Sequence, residues 1–206
     1  MTKFYHTLFA SKATFLKCFL GLIFFFHSLD SSGQYQWTKT FSNELYSYPR
    51  GVKIDPVGNT YSFGTVQGTV DLDPSSATYN ITGTTYILKL DSAGNFVWAK
   101  ELSSSVGIRS FDIDSNGDLL LTGIFSGSQD FDFGPGQYTL GGDMFGNIFV
   151  LKLNANADFI WAKSYGGSGA DGGMSIKCDS SNNVIVSGLF GFSPINFNPG
   201  AGNENH

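Results

Sequence analysis

Asp112-x-Asp114-x-Asn116-Gly117-Asp118 sets oxygen side chains at alternate positions. A hard cation such as calcium is wrapped by that arrangement. The bidentate acid due at the twelfth place is missing, because Gly123 stands there. A hairpin turn explains the same residues with no ion. Asp130 and Asp132, in DFDFGPG, form a second oxygen-rich pair, matched by Asp71 with Asp73 and by Asn196 with Asn198. Side chains of this type also bond their own backbone in turns. Gly167-Ser-Gly169-Ala-Asp-Gly172 has the G-x-G-x-x-G spacing of a dinucleotide loop. That loop must open a helix, whereas the residues after it read as a short strand.

Other chemistries lack their parts. Once residues 1–33 are removed, the histidines left reduce to His206 and the cysteines to Cys178. A nucleophile–histidine site and a zinc site both need more than that. Cys178 falls in the alternating stretch SIKCD and reads as a small packed residue. A lone cysteine makes no internal disulfide, so packing and hydrogen bonds must hold the fold. The expectation is therefore no catalytic, cofactor-binding or metal residue, with calcium the one ion considered.

The elements that position these residues repeat. Trp37, Trp98 and Trp161 lie in YQWTKTF, FVWAKEL and FIWAKSY. Asp55, Asp114 and Asp179 align, and Gly64, Gly123 and Gly188 each follow nine residues later. TYILKLDSAGN at 85–95 matches NIFVLKLNANAD at 147–158. Regular self-similarity marks a repeat architecture. Apolar runs bounded by Asn, Asp, Ser and Gly read as strands and hairpins. Alternation puts Phe96 with Trp98, and Phe159 with Trp161, on one face. The spacing predicts an all-β chain forming a partial β-propeller, with about three four-stranded antiparallel blades of roughly 60 residues and a short extended DFD-type segment in each. A linear solenoid would use shorter coils. The tryptophan should fill the space between sheets with its N–H satisfied at the edge. Lys39, Lys100 and Lys163 recur as solvent-facing or salt-bridged positions.

VLKLNANADFIWAKSYGGSGADGGMSIKCDSSNNVIVSGLF resembles the SBBP beta-propeller repeat of secreted bacterial proteins, and DFDFGPG is similar to a turn that accompanies this repeat in Bacteroidetes-type bacteria. The resemblance covers nearly all of 34–206. It implies an exported propeller, often inside a longer surface or secreted protein with a C-terminal sorting domain, and no defined catalytic residues. The spacing Asp91–Gly94–Trp98 departs from the sialidase Asp box, and the turn is one residue shorter than in quinoprotein dehydrogenases.

The composition fits such a chain. It has 206 residues, 26 of them Gly, with 41% hydrophobic and 14% charged. A hydrophobic content that high excludes a disordered chain. The net charge of −5 argues against a nucleic-acid partner. Residues 1–33 read as a signal peptide: Lys3, Lys12 and Lys17, then the apolar run CFLGLIFFF, then Ser31 and Gly33 before Gln34. The run is too short to span a bilayer; an uncut N-terminal anchor is the alternative. Removing Lys3, Lys12, Lys17 and Asp30 leaves 9 basic and 16 acidic residues, net −7. The units are drawn at 34–84, 85–146 and 147–206, the last truncated and the whole a fragment whose open edges invite self-association.

The expected function is a non-catalytic, secreted or cell-surface scaffold with a protein or glycan partner and no stable membrane span after cleavage. The alternative is a carbohydrate-active hydrolase or lyase using carboxylates partly supplied by missing blades. A cluster of acidic and basic side chains at the propeller axis would favour the alternative. N-terminal sequencing of secreted material should start within a few residues of Gln34. An intact Met1 in a membrane fraction would overturn the export reading.

Overall fold

A computed structural model of the chain describes residues 37–41, 47–191, 194, 195 and 197. The proposed signal peptide, Asn196, Asn198 and His206 lie outside the described residues.

Among the described residues every regular element is a strand. The first sheet contains β1 (Ser47–Ile54), β2 (Thr60–Val66), β5 (Thr85–Leu90) and β6 (Phe96–Leu102), antiparallel in that spatial order. Between β2 and β5 stands a separate hairpin of β3 (Thr69–Asp71) and β4 (Asn80–Thr82). The second sheet repeats the plan with β7 (Val106–Ile113), β8 (Leu119–Phe125), β11 (Asn147–Leu153) and β12 (Phe159–Tyr165), and its inserted hairpin is β9 (Ser128–Asp130) with β10 (Thr139–Gly141). The third has β13 (Gly172–Cys178) paired with β14 (Val184–Leu189). The architecture is a partial β-propeller. The expected DFD-type segment belongs to a two-stranded hairpin of its own. A sequence period has no intrinsic phase, and the sheets supply one: the first runs over 47–102 and the second over 106–165.

Sheets buried on both faces lose the polar-out alternation. β8, LLLTGIF, is buried at six of its seven positions. Leu119 and Leu121 join the core shared with the first sheet, while Leu120 joins the core shared with the third. β11 divides in the same way: Phe149, Leu151 and Leu153 face the first sheet, and Ile148 and Val150 face the third. Burying each such side chain contributes ~1.5–3 kcal/mol.

The first strand of each sheet carries a β-bulge, between Pro49 and Gly51, Ile108 and Ser110, and Gly173 and Ser175. The bulged backbone presses on the neighbouring strand. A Cβ at Gly64, Gly123 or Gly188 would collide with the carbonyl oxygen of Tyr48, Gly107 or Gly172. That contact is why the three glycines recur.

Bulges also correct one expectation. Phe96 and Trp98 do not share a face, nor do Phe159 and Trp161. Phe96 packs with the core on the outer side of the first sheet, and Trp98 with the core between the first two sheets. Phe159 faces the first sheet and Trp161 the third. The pairing runs Leu90 to Phe96 and then Lys89 to Trp98, so Val97 is an extra residue that resets the alternation. Ile160 does the same between Phe159 and Trp161.

Phe149 is wholly buried, so Phe149→Ala should cost about 3–5 kcal/mol in urea denaturation. Trp98→Phe, which keeps a ring and loses a hydrogen bond, should cost about 1 kcal/mol. Equal losses would contradict this packing.

Candidate functional site

Five hairpin turns share one construction. Asp55, Asp91, Asp114, Asn154 and Asp179 each begin a turn in which the side-chain Oδ1 accepts the N–H two residues on and the N–H four residues on. The residue three after each has a positive φ: Gly58 91°, Gly94 80°, Gly117 82°, Ala157 63° and Asn182 61°. This is a type I turn closed by a left-handed residue, a standard three-residue hairpin loop. The aligned Asp series is therefore engaged in turn hydrogen bonds.

Two of the three tryptophans lock onto these turns. Trp98 Nε1 donates to Ala155 O at 3.2 Å, in the β11–β12 turn. Trp37 Nε1 donates to Ser92 O, also at 3.2 Å, in the β5–β6 turn. Lys89 Nζ donates to Ala155 O as well and lies 4.9 Å from the Tyr61 ring centre. Tyr61 is pushed up to about 12 by burial, by the Asp55 charge and by its hydrogen bond to Asp55.

The calcium candidate holds a lysine. Lys152 Nζ lies 2.7 Å from Asp114 Oδ2 and 3.0 Å from Asp118 Oδ2. Burial alone would raise the Asp114 carboxyl, but Lys152 and the N–H groups of Asp118 and Asn116 outweigh it and hold it below the usual carboxylate range. Asp112 turns elsewhere, so the acids do not converge. No cluster of three or more His, Cys, Asp or Glu side chains able to hold a metal occurs among the described residues.

Asp112 forms the feature that sequence reasoning missed. Lys53, Asp112 and Lys177 occupy the same place in the first strands of the three sheets, two residues before Asp55, Asp114 and Asp179. Lys53 Nζ lies 2.9 Å and Lys177 Nζ 3.3 Å from Asp112 Oδ1. The Cys178 N–H donates to Asp112 Oδ2 at 3.2 Å. A cluster of mixed charge, the feature expected to favour the carbohydrate-active alternative, is thus present where the inner strands converge. Its signal in the sequence was an alternation of sign at one repeat position. Burial raises the Asp112 carboxyl, yet Lys53, the Cys178 N–H and Lys177 together lower it. The group is held as an ionised clamp between two lysines. Glycoside hydrolysis needs two carboxyl groups facing each other, and this cluster offers one.

The remaining candidates have plain positions. Asp130 Oδ1 accepts the N–H groups of Asp132 and Tyr138, and Asp132 Oδ1 accepts that of Gly134. Asp71 and Asp73 repeat this with Asp73, Tyr79 and Ser75. The Gly167–Gly172 loop leads into β13, a strand, and the buried Asp171 closes it by accepting from Gly167 and Gly191. Cys178 is half-buried, and burial followed by the charge and hydrogen bond of Asp112 pushes its thiol up, the opposite of a reactive thiolate. Lys39, Lys100 and Lys163 form none of the ion pairs found among the described residues.

No protein-family model matches the chain. It is similar to an uncharacterized WD repeat-containing protein of Acanthamoeba polyphaga mimivirus, 30% identical over 161 residues. The match covers 71% of this chain and 12% of that protein. The likeness agrees with a propeller-type repeat, although no tryptophan here is followed by aspartate.

Asp114→Ala should destabilise by about 2 kcal/mol, because it leaves Lys152 with Asp118 alone and opens a turn. The folded Asp112 and Asp114 carboxyls lie below their unfolded value of roughly 4. Their stabilisation is therefore complete above that value and lost as pH falls through the folded pKa. Thermal melts should be flat from pH 7 to about 5 and fall below about 4, less steeply in Asp114→Asn. A rise on acidification would contradict the ion pairs. EDTA should leave the melting temperature unchanged.

Proposed function

We propose that this chain is an exported, non-catalytic propeller repeat of the SBBP type that presents loops to a protein or glycan outside the cell. One observation carries the reading: the recurring carboxylates are engaged in turns and ion pairs, while large apolar side chains stand exposed on a connecting loop. Met144 and Phe145, between β10 and β11, are 82% and 61% exposed. Asp143 braces that loop by accepting the N–H groups of Phe145 and Gly146. A rigid framework displaying an apolar loop tip suits recognition. The repeat-type likeness to a WD repeat-containing protein supports a scaffold role. Export rests on the N-terminal sequence pattern.

The test is a glycan array and a panel of extracellular proteins probed with the secreted chain, alongside a glycoside turnover assay. Saturable binding that Met144→Asp with Phe145→Asp weakens, with no ligand consumed, is the expected result. Turnover that Asp112→Asn abolishes in a folded chain would overturn it in favour of a hydrolase or lyase.

A further inference from the structure

We propose that the inner strands β1, β7 and β13 form a site, centred on Arg109, for the carboxylate groups of an acidic polysaccharide. The site is separate from the Met144–Phe145 loop and stands whether or not that loop binds a partner.

Charge is unevenly placed along the chain, whose net charge is −5. The strands β1, β7 and β13 carry four cations, Arg50, Lys53, Arg109 and Lys177, against one acid, Asp112. These strands therefore form a positive stripe in an acidic molecule. A field of that sign raises the local concentration of anions. The cations stand at two levels. Lys53, Asp112 and Lys177 share one level, where a single carboxylate meets two lysines and one positive charge is left over. Three residues earlier, the β-bulges hold Arg50, Arg109 and Met174. The two levels lie about 10 Å apart along a strand.

Arg109 is positioned without being neutralised. Its Nη1 donates to Met174 Sδ in β13. A thioether is a weak acceptor, whereas a guanidinium offers five N–H donors in a planar fork. The guanidinium also rests against Gly172, where a Cβ would lie 3.4 Å from Nη1 and 3.6 Å from Cζ. Arg109 is exposed and belongs to none of the ion pairs found among the described residues. A fork held in this way, with donors open, matches the two oxygens of a carboxylate. The surroundings of β7 are set on both sides by described strands. The Lys53–Asp112 pair ties it to β1, and Ser110 Oγ accepts the Ile176 N–H of β13 at 3.2 Å.

The surface between the two levels selects the class of ligand. Gly51, Ser110 and Ser175 hold the place just after the bulges. Phe111 and Ile176, the next residues of β7 and β13, turn into the cores between sheets. What remains is small and polar, with no pocket to anchor a peptide's large side chains. A polyuronate needs no such pocket. It presents hydroxyls throughout and a carboxylate on every sugar, so one chain can meet both levels of cations.

The experiment titrates polygalacturonate oligomers into the full chain by calorimetry at low salt. The methyl-esterified oligomer, which has the same backbone and no charge, is the control. Arg109→Gln and Lys177→Gln each remove a cation from the site at an exposed position. Lys163→Gln removes one from the exposed part of β12. Saturable binding of the acid oligomer is expected, with none of the ester. Each site variant should weaken it roughly ten-fold while keeping the β-sheet spectrum. Lys163→Gln should leave it unchanged, and added salt should weaken it. No binding by a folded chain, equal binding of the ester, or an equal loss in Lys163→Gln would each overturn the proposal. Tighter binding of a poly-glutamate peptide of equal charge would also overturn it, by assigning the site to an acidic protein.

Discussion

Each sheet has two apolar faces, so neither face is satisfied until another sheet covers it. The other features follow from that constraint. Leu119 and Leu121 need one neighbour while Leu120, between them in the chain, needs another. Two-sided burial makes a single blade unstable alone and makes repetition the solution. It also sets the spacing, because rings such as Phe63 against Phe111, 5.2 Å apart and edge to face, must fit between successive sheets.

Polar groups keep the stack in register. Buried apolar faces slide easily, and directional bonds at both ends of the sheets oppose sliding. At the inner strands Asp112 joins Lys53 on one side and Lys177 on the other. At the outer strands the Trp98 indole grips the next sheet's turn. Those turns can serve as acceptors because their own Asp or Asn side chain already satisfies the loop N–H groups, leaving carbonyls such as Ala155 O to face outward. The residues that look most chemical in the sequence thus act as fasteners.

The period, the strands and the Asp-led turns were legible because each depends on local residue types repeated three times. Trp98 as an inter-sheet ring with a satisfied N–H was legible for the same reason. The opposed faces of Phe96 and Trp98 were not, because a bulge at Val97 leaves no mark on an apolar run. The Lys53–Asp112–Lys177 clamp was hidden because alignment searches for sameness, and this site works by alternating charge between repeats. The calcium-like spacing of Asp112 to Asp118 misled because a lysine 34 residues beyond Asp118 supplies the positive charge. Sequence spacing within one loop cannot show that partner.

The central claim is that stability comes from sheets covering each other on both faces. Native-state hydrogen exchange resolved by residue tests it most directly. The account predicts the slowest exchange in β8 and β11, which lie between two covered faces, and fast exchange at β14 amides that point away from β13. Protection in β14 equal to that in β8, in the chain as a monomer, would contradict it.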